Sequence, residues 1–373
     1  MKPKAISLFT GVGGLDFGFE AAGFETRVAL DIDPMACRTL RLNRPWPVLE
    51  GDLGDVSSEV ILDTANLRPG EADVLIGGPP CQPFSKSGYW ATGDSRRLDD
   101  PRAKTLEHYL RVLGDTMPKA FLLENVAGLA YRGKSEGIEA IRRGVAAINR
   151  KTSAGYTLSV CALNAVDYGV PQLRERVFVI GARDGQRFTF PDPTHFSPER
   201  IEAQRYGQRF RTTWDALADL EASPNDEDLS MTGKWADLLP SIPEGQNYLW
   251  HTERGGGKPL FGWRRRYWSF LLKLAKALPS WTIQAQPGPA TGPFHWHNRK
   301  LSSAELGRLQ TFPDGIRYSC SRTEIQKLVG NAVPSALAEL LAREISVQLL
   351  GKRAVRKSLT LIPPRRDDAP EPE

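Results

Sequence analysis

The first half of the chain alternates short apolar runs with helical patterns, and this alternation restricts the fold more than any other feature. A strand followed by a helix, several times in succession, is typical of an α/β domain with a mainly parallel sheet. The pattern continues to about residue 185. Strands are predicted over residues 5–9, 27–30, 74–76, 120–123, 157–163 and 177–181, and helices over 15–22, 34–42, 105–116 and 137–150.

The alternation stops after Ala182, and the composition changes with it. Residues 188–300 are rich in proline, glycine and tryptophan and contain seven of the nine tryptophans, which predicts a separate, irregular domain. Helices are predicted again over 302–310 and 334–350. The tail from Lys352 is basic, then proline-rich and acidic, a composition that predicts disorder. We therefore expect a first domain of residues 1–187 and 318–351, a second domain of residues 188–317, and a disordered tail over 352–373.

Charge and cysteine content restrict the class of protein. The formal net charge of +5 permits a polyanionic partner without requiring one. The four cysteines are scattered, with no CxxC pair and no cluster at metal-ligand spacing, so we expect reduced thiols and no metal. The sequence contains no signal-peptide pattern and no apolar run of membrane-spanning length. These features predict a cytoplasmic protein without a membrane partner.

A glycine-rich turn, FTGVGG at residues 9–14, follows the first predicted strand. Glycines there let the backbone approach a nucleotide-like ligand at a helix N-terminus, although the spacing does not match the GxGxxG dinucleotide fingerprint. Asp31 would end the second strand, where a carboxylate accepts hydrogen bonds from ribose hydroxyls. Asp52 would end the third strand, within reach of an adenine amino group. Together these elements indicate an adenosine-containing cofactor, and helix capping is the alternative role for the two aspartates.

A cysteine lies in a second distinctive loop, GGPPCQPFS at residues 77–85. The loop follows a predicted buried strand, so Cys81 would lie at the carboxyl edge of the sheet, where ligands bind in open α/β folds. Pro79 and Pro80 stiffen the turn and fix the direction of the thiol. A lone cysteine is usually a small core residue. A structural cysteine, however, would seldom be flanked by two prolines and a polar loop, and we interpret Cys81 as a functional thiol.

These segments resemble, in their order, the motifs of the DNA cytosine-5 methyltransferases of bacterial restriction–modification systems. The resemblance covers roughly residues 5–190 and 280–345 and leaves the middle of the chain unassigned. It implies a Rossmann-like α/β domain that uses S-adenosylmethionine, with a smaller irregular target-recognition domain. The motifs that carry it are FTGVGG (9–14), GGPPCQPFS (77–85), ENV (124–126), QLRER (172–176), RKLSSAELGRLQTFPDG (299–315) and GNAVP (330–334).

The resemblance implies a reaction and assigns residues to it. A thiolate adds to carbon 6 of cytosine, which makes carbon 5 nucleophilic toward the methyl group, and the resemblance gives this role to Cys81. Glu124 would protonate N3, and Arg176 would bind O2 and orient Glu124. Arg174 would be a nearby orienting or backbone contact. Because the reacting atoms are inaccessible inside a duplex, such an enzyme is expected to flip its target base.

The resemblance also implies ligand contacts. Phe9 would stack on adenine, Asp31 would bind the ribose, and Asp52 with Leu53 would surround the adenine. The loop after Cys81 contains glycine hinges, two aromatic residues and three cations, a composition that predicts a lid closing over flipped DNA, with an ordinary exposed loop as the alternative. The expected cofactor contacts are Phe9, Thr10, Gly11, Gly13, Gly14, Asp31, Ile32, Asp52, Leu53, Pro79, Asn331 and Val333, and the expected DNA contacts are Ser85, Ser87, Arg264, Arg265 and Arg266.

Residues 254–304 are predicted to contain the surface that reads DNA. The window contains nine Lys or Arg, eight aromatic residues and no Asp or Glu. Phosphate contacts need cations without competing carboxylates, and arginine is a frequent reader of guanine. The alternative is that residues 271–278 form an amphipathic helix with solvated lysines and that the tryptophans form a core. This alternative explains most of the tryptophans but not the run of arginines at 264–266.

The chain departs from the family pattern at Ser7, Thr105 and His108, where relatives commonly have an aspartate, a leucine and an acid.

Two rival functions remain. A tRNA cytosine methyltransferase would have a short specificity region, whereas roughly 100 residues separate Arg183 from Trp281 here. A non-catalytic DNA-binding relative is disfavoured by the intact catalytic motifs. We expect double-stranded DNA as the substrate, a monomeric enzyme, and a cognate restriction endonuclease that acts separately.

Overall fold

A seven-stranded sheet forms the centre of the first part of the chain. The computed structural model describes residues 1–80, 104–126, 136–204, 206–220, 228–353 and 358–368. The strands are β1 (Lys4–Leu8), β2 (Glu25–Asp31), β3 (Val48–Glu50), β4 (Val74–Gly77), β5 (Ala120–Val126), β6 (Ser159–Asn164) and β7 (Glu175–Ala182). Their order is β3-β2-β1-β4-β5-β7-β6, and β7 alone runs antiparallel to its neighbours. The predicted α/β fold with a mainly parallel sheet is confirmed.

Helices alternate with the strands of this sheet. Asp33 caps α2 by accepting a hydrogen bond from the N–H of Met35 at 2.9 Å, and Pro34 occupies the first turn. Helix α3, which the local sequence pattern does not predict, is capped by Ser57. The four predicted helices agree with the structure to within one residue at each end. The helices are α1 (Gly14–Ala21), α2 (Pro34–Asn43), α3 (Ser58–Ala65), α4 (Lys104–Thr116) and α5 (Glu136–Lys151).

The central strands β1, β4 and β5 are buried along almost their whole length, as expected for parallel strands covered on both faces. Ile6, Leu75 and Phe121 from these adjacent strands belong to one apolar cluster with Tyr109 of α4. The hydroxyl of Tyr109 donates to the main-chain carbonyls of Leu75 at 3.3 Å and Leu122 at 3.0 Å. This packing makes the sheet rigid, and residues at its carboxyl edge are therefore held in fixed positions.

The described chain divides into two compact units. The first comprises residues 1–164, 175–192 and 337–360 and contains the sheet; the second comprises 165–174, 193–336 and 361–373. The second has little regular structure between residues 205 and 302, as the composition predicts. None of the described helices combines the length and apolar character that a membrane crossing requires. The remaining elements are β8 (His195–Phe196), α6 (Pro198–Gln204), β9 (Gln208–Arg209), α7 (Thr213–Leu217), α8 (Ser303–Leu309), α9 (Arg322–Asn331) and α10 (Ser335–Gln348).

Aromatic side chains form the core of the irregular region. Tyr248 and Phe270 are buried in one cluster, with ring centroids 5.8 Å apart. The alternative of an amphipathic helix is wrong, since residues 271–278 form no helix. The lysines there are buried rather than solvated, and Lys276 pairs with Glu244 at 2.8 Å. The acid-free window therefore lies on a folded, irregular unit.

Residues 358–368 of the tail make defined contacts, in contrast to the disorder that composition predicts from Lys352 onward. The N–H of Thr360 donates to the buried carboxylate of Glu339 at 2.9 Å. Further along, the N–H of Arg366 donates to the buried carboxylate of Asp215 at 2.6 Å. Buried carboxylates require hydrogen-bond donors, and the main chain of residues 358–368 provides them. These hydrogen bonds keep the segment in place although it is too polar to form a core of its own.

Candidate active site

Two charged side chains meet on neighbouring strands of the sheet. In the antiparallel pair β5–β7, Val126 lies opposite Arg176 and Glu124 opposite Phe178, so Glu124 and Arg176 are diagonal neighbours. Nε of Arg176 lies 2.9 Å from Oε1 of Glu124, and the two side chains are 15% and 10% exposed. An unpaired carboxylate at this depth would have a large desolvation cost, so each charge stabilises the other. The structure thus brings two of the predicted catalytic residues into contact.

The loop that leads to the predicted nucleophile begins beside this pair. A β-carbon added at Gly78 would lie 2.9 Å from Oε2 of Glu124, so any other residue would displace the carboxylate. The side-chain amide of Asn125 donates to the carbonyl of Pro79 at 3.1 Å. Cys81 itself lies outside the described residues. The first residues of its loop are nevertheless fixed against the ENV motif.

The glycine turn after β1 has a left-handed backbone at three positions. The φ angle is 52° at Phe9, 56° at Gly11 and 91° at Gly13. At Gly13 a β-carbon would also lie 3.1 Å from Cδ2 of Leu40, so conformation and packing both favour glycine there. Among the described residues, no atom lies within 4 Å of the β-carbon position of Gly11, which leaves this side of the turn open. Helix α1 begins at Gly14 and completes the predicted strand–turn–helix.

Asp31 ends β2 next to this turn. Its Oδ2 accepts a hydrogen bond from the N–H of Gly11 at 2.7 Å, and its Oδ1 accepts one from the N–H of Asp33 at 2.8 Å. Burial raises the pKa of Asp31, and these two backbone donors act in the opposite direction. The helix cap of α2 is Asp33. Asp31 instead holds the glycine turn, and each of its oxygens keeps a lone pair for a further donor.

The neighbouring strand β3 leads to Asp52, whose exposed side chain accepts the N–H of Gly54 at 2.8 Å. A β-carbon at Gly54 would lie 3.0 Å from Nε2 of His108, so the unusual histidine lies beside this turn. Leu53 is packed into the core, whereas Ile32 after β2 is 62% exposed. Of these two predicted cofactor contacts, Ile32 offers an apolar face to solvent.

A buried polar network lies under the glycine turn, and the sequence motifs do not reveal its acid. Asp16 of α1 is fully buried and accepts hydrogen bonds from Oγ of Ser7 at 3.0 Å and Oγ1 of Thr26 at 3.3 Å. Ser7 is also hydrogen-bonded to Thr10, hydroxyl to hydroxyl, at 3.0 Å. Burial raises the pKa of Asp16 to about 7. The one signal in the sequence is an aspartate inside the apolar run LDFGF.

In the second unit, Arg174 joins two of the sequence motifs. Its side chain is almost fully buried and donates through Nη2 to the carbonyls of Gly330 at 2.7 Å and Ala332 at 2.8 Å. Nη1 donates to the carbonyl of Ile283 at 3.3 Å, and the N–H of Ile283 donates to Gln172 at 3.0 Å. These bonds hold main-chain segments of QLRER and GNAVP together.

Asn331 and Val333 lie at the end of α9, beside this network. Asn331 is exposed and Val333 is buried. The preceding Gly330 packs so closely that a β-carbon would lie 2.6 Å from Cα of Ala285. Close packing on one side and the hydrogen bonds of Arg174 on the other therefore fix where Asn331 lies.

The three predicted DNA-binding arginines are on the surface of the second unit. Arg264, Arg265 and Arg266 are all exposed. The guanidinium of Arg264 lies 5.6 Å from the ring of Trp263, and that of Arg254 lies 4.8 Å from the same ring. These contacts order the cations without neutralising them.

Other cations of the 254–304 window are engaged inside the protein. Lys273 and Lys276 are buried. Arg299 donates to both carboxylate oxygens of Glu305, at 2.8 Å and 2.7 Å. These three cations have partners within the protein or are removed from solvent. The predicted DNA-reading surface therefore covers only part of the 254–304 window.

The tryptophans of the second unit divide by exposure. Trp296 is buried, which agrees with a core role. Trp268 and Trp281 are 51% and 41% exposed, so the core interpretation does not extend to them. The half-buried members are Trp214, Trp235, Trp250 and Trp263.

Ser85 and Ser87, the remaining predicted DNA contacts, lie outside the described residues. Within the described part of the chain, no group of three or more His, Cys, Asp or Glu side chains has an arrangement suited to a metal ion. Cys161 and Cys320 are half-buried and Cys37 is buried.

Comparison with known proteins agrees with this geometry. A family model described as C-5 cytosine-specific DNA methylase matches residues 3–347. The Type II methyltransferase M.SacI of Streptomyces achromogenes is 41% identical over 369 residues, which are 92% of this chain and 93% of that protein. M.NgoFVII of Neisseria gonorrhoeae, also a Type II methyltransferase, is 32% identical over 348 residues, 92% of this chain and 86% of that protein. The solved structure of the Entamoeba histolytica methyltransferase EhMeth has a TM-score of 0.63 at 16% identity and covers 94% of this chain and 99% of that one.

The sheet and the similarity to the structure of EhMeth define the class of fold, a Rossmann-like α/β fold. The family match is more specific, because it extends over most of the chain. The chain belongs to the C-5 cytosine-specific DNA methylase family, and the enzyme is a DNA cytosine-5-methyltransferase related to those of Type II restriction–modification systems. The family resemblance that the motifs indicate is confirmed.

Proposed function

We propose that this chain transfers the methyl group of S-adenosylmethionine to carbon 5 of one cytosine within a specific sequence of double-stranded DNA. The observation that supports the proposal most is the Glu124–Arg176 pair, 2.9 Å apart, beside the first residues of the loop that leads to Cys81. A carboxyl and a guanidinium held together match the N3 and O2 edge of cytosine. The family chemistry needs a thiol close to the same ring.

In this proposal Cys81 begins the reaction as a thiolate that adds to carbon 6 of the ring. Glu124 donates a proton to N3 while the carbon–sulfur bond forms, and Arg176 donates hydrogen bonds to O2 and keeps the carboxyl in position. The electrons of the ring are then available at carbon 5, which takes the methyl group. A base takes the carbon 5 proton, Cys81 departs as a thiolate, and the N3 proton returns to Glu124, which restores the aromatic ring and the starting state of the enzyme.

The carboxyl edge of the sheet fits an adenosine-containing methyl donor. The turn is open at Gly11, the carboxylate of Asp31 lies beside it with lone pairs to accept ribose hydroxyls, and the exposed Ile32 offers an apolar face. When bound, S-adenosylmethionine supplies the methyl group. The roles of Asn331 and Val333 in cofactor binding stay predictions. The residues of the first unit that we assign to the cofactor are Phe9, Thr10, Gly11, Gly13, Gly14, Asp31, Ile32, Asp52, Leu53 and Pro79.

DNA recognition is assigned to the second unit. Stacking shields the cytosine ring in a duplex, so the reaction requires a flipped base. The exposed arginines at 264–266 are suited to phosphate and guanine contacts. We further propose that the enzyme acts as a monomer. We also propose that it protects DNA from a separate restriction endonuclease, because its relatives are named Type II methyltransferases.

Bisulfite sequencing of DNA from cells that express the chain tests this function and finds the recognition sequence at the same time. We expect protected cytosines at one position of a single short sequence, and none in cells that express Cys81→Ser. Unprotected DNA from cells with abundant soluble enzyme would contradict the proposal. Methylation of tRNA in those same cells would then favour the rival substrate.

A further inference from the structure

The exposed apolar side chains of the second unit are concentrated in the acid-free window. Of the ten large apolar residues that are exposed in the described part of the chain, five lie between residues 260 and 281. Such a concentration on the surface marks an interaction site, whereas scattered exposed apolar residues do not. The five residues are Leu260, Tyr267, Trp268, Leu278 and Trp281.

Two of these side chains form a supported pair. The rings of Trp268 and Trp281 have centroids 5.4 Å apart and meet at 61°, an edge-to-face arrangement. The side-chain amide of Asn247 donates to the carbonyl of Trp268 at 2.8 Å, and the hydroxyl of Ser280 donates to the carbonyl of Trp281 at 2.8 Å. The main chain is therefore held under both residues, while the indoles remain 51% and 41% exposed. Two segments distant in sequence thus present one aromatic surface.

The charges around the pair indicate what occupies it. Residues 254–304 contain no carboxylate, and the run of exposed arginines at 264–266 precedes Trp268 closely in the chain. Exposed aromatic rings among cations, without acids, are the combination that binds unstacked nucleic acid, since cations contact the backbone and rings stack on bases. A partner protein of ordinary mixed charge would find no acidic group here to pair with its own cations.

We propose that Trp268 and Trp281 form a platform that stacks on a DNA base left without its partner when the target cytosine leaves the helix. The inference rests on the proposed function and adds to it the residues that hold the opened duplex. Every base has a π face, so the platform contributes affinity for the opened state and little sequence discrimination. Its contribution should therefore be largest on DNA in which the target base is already missing.

The test compares the wild type with Trp268→Ala and Trp281→Ala on two duplexes that carry the recognition sequence. One duplex is intact, and the other has an abasic site in place of the target cytosine. Loss of stacking should weaken binding to the abasic duplex by roughly 5- to 150-fold for each variant, with the salt dependence unchanged because no cation is removed. Tyr206→Ala, which removes an exposed aromatic of the same unit outside the window, should bind as the wild type does.

Conservative variants separate stacking from folding. Trp268→Phe and Trp281→Phe should keep most of the affinity, and 2-aminopurine placed opposite the target should be quenched by the wild type and the phenylalanine variants but not by the alanine variants. Alanine variants that melt at the wild-type temperature and bind the abasic duplex as tightly as the wild type would overturn the inference. Self-association of the protein that depends on the two indoles would also overturn it, because the surface would then bind a second copy of the chain. If the wild type methylates its sequence and only these results fail, the platform is wrong. If the wild type methylates no DNA, the proposed function is wrong instead.

Discussion

Replacing Arg174 with methionine tests the network that joins the QLRER and GNAVP motifs. The side chain is 1% exposed, and its two short hydrogen bonds, 2.7 Å and 2.8 Å, reach the carbonyls of Gly330 and Ala332. Methionine fills much of the same space and donates no hydrogen bond. A hydrogen bond from a charged donor contributes about 1.5–3 kcal/mol net of desolvation. Loss of the two short bonds should therefore lower the free energy of unfolding by about 3–6 kcal/mol.

The assay is urea unfolding followed by tryptophan fluorescence. A loss of that size is a large fraction of the usual total of about 5–15 kcal/mol, so the midpoint should fall markedly. Arg174→Lys keeps the charge but not the forked geometry and should be intermediate. Arg265→Met is the matched control, because this arginine is exposed and the same substitution there should change the stability by no more than about 0.5 kcal/mol. An Arg174→Met protein within about 0.5 kcal/mol of the wild type, the range of an ordinary surface change, would refute a supporting role for this arginine.

Three further predictions concern rate, salt and pH. Glu124→Gln should lower kcat by roughly 10²–10⁴-fold without weakening DNA binding, and a normal rate with poor binding would contradict the acid role. Alanine at residues 264–266 should reduce the slope of log affinity against log salt by about 0.9 for each phosphate that the variant no longer binds, and an unchanged slope would move the DNA surface elsewhere. Burial raises the pKa of Asp16 from 3.8 to about 7, so the stability that depends on its protonated form is fully present below about pH 4 and is lost as pH rises to 7. Asp16→Asn should remove this pH dependence, about 4 kcal/mol across the window, and parallel pH–stability curves would contradict a buried neutral acid.

The sequence predicts the parts of the fold that local patterns determine. Six of the seven strands and four of the helices around the sheet follow from the alternation of apolar runs and helical patterns. Two helices of eight or more residues escape prediction, although each has a signal: Ser57 before α3, and the Ser321–Glu324 capping box of α9. The alternative of an amphipathic helix at 271–278 is wrong because the apolar residues there pack irregularly, and Lys276 is buried against Glu244. Such burial is decided by tertiary contacts that no local pattern reports.

In the candidate site, too, local motifs predict some contacts, whereas others depend on tertiary packing. The contact between Glu124 and Arg176 follows from two motifs on strands that the family resemblance makes neighbours. The hydrogen bonds of Arg174 to carbonyls far along the chain could not be derived, because sequence spacing does not say which main-chain groups a buried guanidinium meets. Asp16 escapes prediction for a similar reason, since its partner Ser7 comes from a different element. The ordered motifs thus predict the catalytic residues better than they predict the buried residues that hold the site in place.

Covalent trapping at Cys81 tests the central claim most directly. Duplex DNA with 5-fluorocytosine at the target position is incubated with the enzyme and S-adenosylmethionine, and the protein–DNA complex is digested and examined by mass spectrometry. Fluorine cannot leave carbon 5 as a proton does, so the reaction should stop with the carbon–sulfur bond intact. The account predicts a stable adduct on the peptide that contains Cys81, and none with Cys81→Ser. An active enzyme that forms no adduct, or forms it at another residue, would contradict the account.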